Sequence, residues 1–567
     1  MRRDASILGL GGPRSARTRP RAARSSSRTL SLAGHSKVVL CTTFEQGRPA
    51  RPRKASSQSR HPQRRCRSGI DAVNFAPIRS LVRHTAIYSI GDFLGRAVAV
   101  VLLPLYLRKL SPADNGIITL SFAFIGFTAV FYSLGLNQAL VRFLSGDRED
   151  DEHLRRRFST AFLSLLLVGT TVSTLIWVNA SRIAAALLGT SGNADIVRAL
   201  ALIVLLDTLS EPLFSLCRAR QQSVRFALTR LCQHTIQVAL IVYLILFRDV
   251  GVRGVFTANV ASSSFALLAM APVAVGAIRP VFRAGLLREL LAFGLPFVPS
   301  AVAVLVISLS DRFLIEHLMG LDQLGIYGVA YKFSIPALLV VRAFRSAWAP
   351  GVLSVHDPIE ARAVCARVTT YFIAAASLLL LFVTGFSREL ILLVGGERAP
   401  DYLDGHVVIP IVTLGHTLYG IYVILTAGVY AEGRARMLPG IVIAGAIVNV
   451  CINLLMIPQI GYIAAAWSSV AANGLMVVLL YLSTRAFYPV PYEVGRIGKV
   501  IVATLVVTMA LDRWSGDLTL EGAIAKGIVL LAYPTILWGW RFLEAGEWGE
   551  LRSLGRGAPE TLDEKRT

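Results

Sequence analysis

Charge is scarce in this sequence. Asp, Glu, Lys and Arg make up 16% of the 567 residues, against about 25% in an average soluble chain. That is too little to cover a soluble globule of this length. Cysteine is sparse as well, with Cys41, Cys66, Cys217, Cys232, Cys365 and Cys451 in no CxxC spacing. This excludes both a disulfide framework and a zinc site, and no metal or other cofactor is expected. Acids are rare in the first eighty positions, which hold 18 Lys/Arg against only Asp4, Glu45 and Asp71. That stretch supplies +15 of the net charge of +23. The basic excess is therefore a tail, not a binding face, and no nucleic-acid partner is expected.

The tail, residues 1–80, is rich in Arg, Ser and Pro and has no apolar periodicity. It is too polar to bury a core and is expected to be disordered. It lacks the continuous apolar stretch of a secretory signal. Its composition resembles an organellar transit peptide; the preferred reading is a non-conserved extension or a start site assigned too early.

What the chain has is apolar length. Hydrophobic residues form 54% of it and mean hydropathy is +0.58. Fourteen apolar segments follow one another, from 84–107 to 523–540. Most are long enough to cross the ~30 Å hydrocarbon core as helices. The weakest, at 197–217, is interrupted by Asp207 and Glu211. With the N-terminus inside, the inner connections beyond the tail hold 26 Lys/Arg and the outer ones 10. Cytoplasmic loops carry that excess, so both termini are expected in the cytoplasm.

An internal repeat sets the architecture. LRKLSPADNGIITL (107–120) and EHLMGLDQLGIYGV (316–329) align with Gly116 on Gly325, an offset of 209. LILFRDVGVRGVFTANV (244–260) and LLMIPQIGYIAAAWSSV (454–470) align with Gly251 on Gly461, an offset of 210. Six spans separate equivalent points, and an even number keeps both halves in the same topology. The expected fold is an all-α polytopic membrane protein of about 14 transmembrane helices. The expected parts are a tail (1–80), parallel six-helix bundles at 81–289 and 290–485, two additional helices within 486–545, and a cytoplasmic tail (546–567). Binding sites in transporters commonly lie between such repeats.

Charges inside spans mark the candidate site, since each costs at least ~2.5–3.5 kcal/mol to insert. Asp92 and Arg96 are four apart on one helix face and able to pair. Asp207 and Glu211 have the same spacing but like charge. Asp311 and Arg312 are adjacent, and Lys332 lies about nine residues into the next span. The cations Arg96, Arg312 and Lys332 are candidate wall residues of a polar cavity for a phosphate-bearing cargo. The acids Asp92, Asp207, Glu211 and Asp311 are candidates for charge pairing, or for proton or sodium coupling. Asp311 also has a plainer reading as a partner of Arg312 or Lys332, and Arg312 as a side chain snorkelling to the outer interface. His234 and His416 read as packing residues. Tyr88, Tyr106, Tyr327, Tyr331, Tyr419 and Tyr422 suit helix ends or a sugar path.

The run GLPFVPSAVAVLVISLSDRFLIEHLMGLDQLGIYGVAYKF (294–333) resembles the polysaccharide flippases of the multidrug/oligosaccharidyl-lipid/polysaccharide exporter superfamily. IYSIGDFLGRAVAVVLLPLYLRKLSPADNGIITL (87–120) and residues 454–470 are similar to them too. Where many relatives carry a Gly-Ala pair, this chain has Ile463-Ala464. The resemblance implies alternating access that carries a polyprenyl-diphosphate-linked oligosaccharide across the cell membrane. It implies membrane lipids, a glycan polymerase and export machinery as partners. The residues carried over are Arg96, Asp311, Arg312 and Lys332. A multidrug or cation antiporter and a peptidoglycan-precursor flippase of the same superfamily are the alternatives. A membrane-embedded polymerase or glycosyltransferase is disfavoured, because no soluble domain, DxD-like site or long outer loop is present.

Overall fold

The computed structural model describes residues 98–144, 151–279, 281–353, 357–514, 518–543 and 547. Asp92, Arg96 and the basic tail lie outside these, as does almost all of 546–567. Among the described residues there is no strand. Eleven helices are long and apolar enough to cross a membrane, or twelve with one bent pair counted as a span. One of the eleven, Pro358–Ala431, contains two long helices, Pro358–Gly395 and Val408–Ala431.

The first half begins with α1 (Leu103–Lys109). Then SPAD starts α2 (Pro112–Ser133) for clear reasons. Ser111 and Asp114 form a reciprocal capping box, and Pro112 supplies a helical φ without needing a hydrogen-bond acceptor. Next come α3 (Leu136–Leu144), α4 (Asp151–Val178), α5 (Ala180–Leu188), α6 (Ala194–Ala219), α7 (Ser223–Leu246) and α8 (Val252–Ala277). The amphipathic α9 (Ala284–Gly294) packs back on α3 and α4. The second half is α10 (Val298–Met319), α11 (Leu321–Phe333), α12 (Ile335–Leu353), α13 (Pro358–Gly395), α14 (Val408–Ala431), α15 (Leu438–Ile460) and α16 (Ile463–Thr484). The helices α17 (Val494–Asp512) and α18 (Leu520–Gly539) follow, and both pack on α13.

The repeat offset reappears in the packing. Helices α2 and α11 cross where a Cβ on Gly116 would strike the Leu321 carbonyl and one on Gly325 the Pro112 carbonyl. Pro112 and Leu321 are themselves 209 apart, so the contact is reciprocal. Gly251 (φ 65°, ψ −145°) and Gly461 (φ 69°, ψ −157°) share one backbone conformation. That region is essentially closed to residues with a Cβ.

At this end of the molecule one core serves both halves, joining Leu103, Leu107, Ile118 and Leu120 to Ile315, Leu324, Tyr327 and Ile409. Elsewhere the halves keep separate cores: Phe158, Phe214, Phe226 and Met270 in the first, Tyr422, Val429, Met476 and Leu480 in the second. A further cluster around Leu381, Val507 and Tyr533 seats α17 and α18 on α13.

Candidate functional site

Asp311 and Arg312 are the most deeply buried of the expected site residues, 1% and 6% exposed. Neighbouring residues on a helix do not share a face; the long arginine stem bridges the difference. Its Nη1 donates to Asp311 Oδ1 at 2.5 Å and to the Ser308 carbonyl. The Tyr327 hydroxyl donates to the other carboxylate oxygen. The guanidinium lies 4.3 Å from the centre of the Tyr331 ring, a cation–π geometry. Arg312 is thus turned into the protein and does not snorkel, and Asp311 is bound to it and not to Lys332.

Helix α14 extends this group. His416 meets Tyr331 edge-on at 5.6 Å, and its Nε2 has no hydrogen-bond partner among the described residues. About one turn along, the Tyr419 hydroxyl accepts from Arg345 Nη1 at 3.1 Å and its ring stacks with Tyr422. Arg312, Tyr331, His416, Tyr419 and Arg345 therefore follow one another with a guanidinium at each end and three rings between. Such a wall suits a cargo with both phosphate and sugar, because arginine forks match phosphate oxygens and ring faces cover apolar sugar surfaces.

Lys332 follows Tyr331 directly, and ~100° of helical rotation sends it to another side. Its Nζ has no hydrogen-bond partner among the described residues and sits 5.1 Å from the Tyr106 ring centre. It lines a separate, largely apolar cavity of about 220 Å³.

The acids of α6 have partners of their own. Asp207 accepts from Ser263 Oγ at 2.7 Å. Glu211 holds Arg218 and Arg230, each at 2.7 Å, and Arg230 lies 3.9 Å from the Phe214 ring centre. None of these bonds reaches the Asp311–Arg312 pair. Among the described residues no group of His, Cys, Asp and Glu is placed to hold a metal.

Three features escaped the sequence reading. Lys526, one of the ten Lys/Arg counted in the outer connections, is fully buried and paired with Glu389 of α13. Its position inside an apolar run was the available signal. The α1–α2 turn is latched to the second half: Tyr402 Oη donates to the Leu110 carbonyl at 2.7 Å and accepts from Asn115 Nδ2 at 2.9 Å. Arg108 donates to the Val394 and Leu393 carbonyls, capping the C-terminal end of α13, where helix carbonyls lack partners. Nothing local in the sequence announces these contacts across nearly 300 residues.

Residues 107–404 match the family model described as "Polysaccharide biosynthesis protein". The chain belongs to this family. No curated protein matches it. Among solved structures it is similar to the lipid II flippase MurJ in an inward closed conformation, with 15% identity and TM-score 0.60, over 80% of this chain and 99% of that one. An inward-facing multidrug resistance MATE transporter of the MOP superfamily matches with 14% identity and TM-score 0.59, over 74% and 99%. A MOP superfamily transporter from Pyrococcus furiosus matches with 13% identity and TM-score 0.54, over 75% and 97%. Identities this low speak to fold. By its long apolar helices the chain is a multi-pass membrane protein, and it has the fold that these solved transporters share.

Proposed function

We propose that this protein flips a polyprenyl-diphosphate-linked oligosaccharide across the cytoplasmic membrane for polysaccharide export, by alternating access. The observation that carries the reading is the run from Arg312, buried against Tyr331 and His416, to the more exposed Tyr419–Arg345 pair, which sets guanidinium donors beside ring faces. The core arrangement supports it: the halves share one core at the latched end and keep separate ones elsewhere. The Lys/Arg bias puts both termini and the separate-core end in the cytoplasm, an arrangement poised to take cargo from inside. In this reading 81–289 and 290–485 are the rocking bundles. Arg96, Arg312 and Lys332 serve the cargo, and Asp311 orients Arg312. Asp92, Asp207 and Glu211 serve charge pairing or proton or sodium coupling. A glycan polymerase and export machinery act downstream.

Likeness to a lipid II flippase favours a peptidoglycan precursor as the second reading. One experiment separates them. The gene is deleted in its host, and surface glycans and lipid-linked intermediates are profiled with wild type or an Arg312→Ala, Lys332→Ala variant. Loss of polymer with accumulation of a cytoplasm-facing lipid-diphosphate oligosaccharide is expected, rescued by wild type only. Accumulated peptidoglycan precursor supports the second reading. Normal glycans with altered sensitivity to cationic drugs overturn both in favour of an antiporter.

A further inference from the structure

Arg312 has a carboxylate partner in Asp311, whereas Lys332 has none among the described residues. Its buried ammonium has no hydrogen-bond partner among the described residues and meets only the Tyr106 ring face. A buried charge without an acceptor is costly, and a cation–π contact offsets only part of that cost. An anion on Lys332 would close that gap.

There is space for one. The cavity of about 220 Å³ beside Lys332 has apolar walls, among them Leu103 and Pro104 of the first half and Leu379, Phe382 and Leu390 of α13. Thr413 also lines it, but its hydroxyl is bonded to the Ile409 carbonyl at 2.8 Å. At ~30 Å³ per water, the space holds a group of about seven water volumes. That admits a phosphate with the first carbons of a chain and excludes an oligosaccharide.

The location adds a second argument. Helices α11 and α12 meet at a 47° break beside Ser334, and Lys332, Phe333, Pro336 and Ala337 of this elbow all line the cavity. Interrupted helices are where transporters place binding groups. Phe382 is 40% exposed, and Pro104 and Pro336 of the lining are exposed as well, so the cavity lies against the outer surface of the bundle.

We infer that this elbow cavity is a subsite for the phosphate-headed end of a prenyl chain. Lys332 takes the phosphate, and the apolar walls take the first isoprene carbons. The inference rests on the proposed cargo and divides it, with the sugar on the Arg312–Tyr419 wall and the lipid end at the elbow. A bilayer phospholipid offers similar chemistry, so the test includes one.

Full-length protein in detergent is titrated calorimetrically with farnesyl diphosphate, farnesol and phosphatidic acid. Wild type binds the diphosphate and not the alcohol. Lys332→Met lowers that affinity about tenfold or more, the value of one charged hydrogen bond, while Lys332→Arg stays within roughly threefold. Leu390→Trp, which fills the cavity and keeps the charge, produces the same loss, covering the case in which Lys332→Met does not fold. Unchanged diphosphate affinity in Lys332→Met or in Leu390→Trp overturns the inference. So does phosphatidic acid bound with the same Lys332 dependence and displacing the diphosphate. Wild-type flipping in proteoliposomes is scored separately. Flipping without Lys332-dependent binding sinks only the subsite, and no flipping of any lipid diphosphate sinks the broader reading.

Discussion

The two repeats share a scaffold but differ in chemistry. At the 209-residue offset, Leu102 and Leu103 stand where the second half has Asp311 and Arg312. All four are buried. Ile118 corresponds to Tyr327, Phe122 to Tyr331 and Ala123 to Lys332. The first half fills these places with apolar side chains, and the second with a hydrogen-bonded ion pair, its tyrosines and a cation. The exchange runs the other way on the fourth span, where Asp207 and Glu211 correspond to His416 and Gly420. What does repeat is backbone geometry: the Gly116–Gly325 crossing and the shared conformation of Gly251 and Gly461. Helix crossings depend on close backbone approach, which only small residues allow. Buried polar groups depend on finding partners, and each half finds different ones.

The strongest way to break the scaffold is at the crossing. Gly325→Leu drives a side chain into the Pro112 carbonyl. The obstacle is backbone, so the cost exceeds the ~1–3 kcal/mol of ordinary overpacking. The expected outcome is loss of monodisperse protein in size-exclusion chromatography, with the equivalent Gly116→Leu behaving alike. A normal melting curve for either would contradict the reciprocal contact.

Next in size is the chemistry that differs. Asp311→Ala strands the Arg312 guanidinium in the interior, an effect of about 3–5 kcal/mol. Replacing both, Asp311→Leu with Arg312→Leu, copies the first half's residues into the second. Stability then returns to within about 1–2 kcal/mol of wild type, because an apolar pair needs no partners, but transport is lost. Thermal melting reads the first effect and proteoliposome flipping the second. A stable double variant that still flips would demote the pair to packing.

The latch comes third. Tyr402→Phe takes the hydroxyl donor from the Leu110 carbonyl and leaves the Asn115 amide only the Tyr106 and Ser111 carbonyls, a loss of about 1–3 kcal/mol. Because these bonds join the halves, the change is expected in the conformational balance as well as in stability. Faster labelling of a cysteine placed at Leu110 would register opening at this end; an unchanged labelling rate would argue against a latch.

Much of this architecture was legible in advance. Apolar length located the helices, and two glycine matches located the repeat, because both are local or periodic properties. Asp311, Arg312 and Lys332 were visible as costly charges. Their partners were legible only in part: Arg312 was one of two expected for Asp311 and is the one observed, while Tyr327 was not foreseen. Whether Asp311 bonds Arg312, Tyr327 or Lys332 depends on rotamers and on the azimuth of α11, which no spacing encodes. The same holds for Lys526, whose acid Glu389 lies 137 positions away, and for the elbow after Phe333. Helix Asp151–Val178 also begins with two charged turns that apolar length alone does not mark as helical.

The smallest expected effect sharpens the contrast between the halves. Glu211 is paired twice, yet its side chain is 33% exposed, whereas Asp311 is sealed. Exposed pairs contribute about 0–1 kcal/mol and are screened by salt. Glu211→Gln is therefore expected to shift the melting temperature little, and by less still at high salt, where Asp311→Asn remains costly. Stability and transport should then separate. If the α6 acids couple transport to an ion, Glu211→Gln changes the dependence of flipping on pH or sodium while leaving the fold intact. An unchanged dependence, together with an unchanged melting curve, would leave Glu211 as surface electrostatics and confine the coupling role to Asp207, whose bond to Ser263 lies deeper in the span.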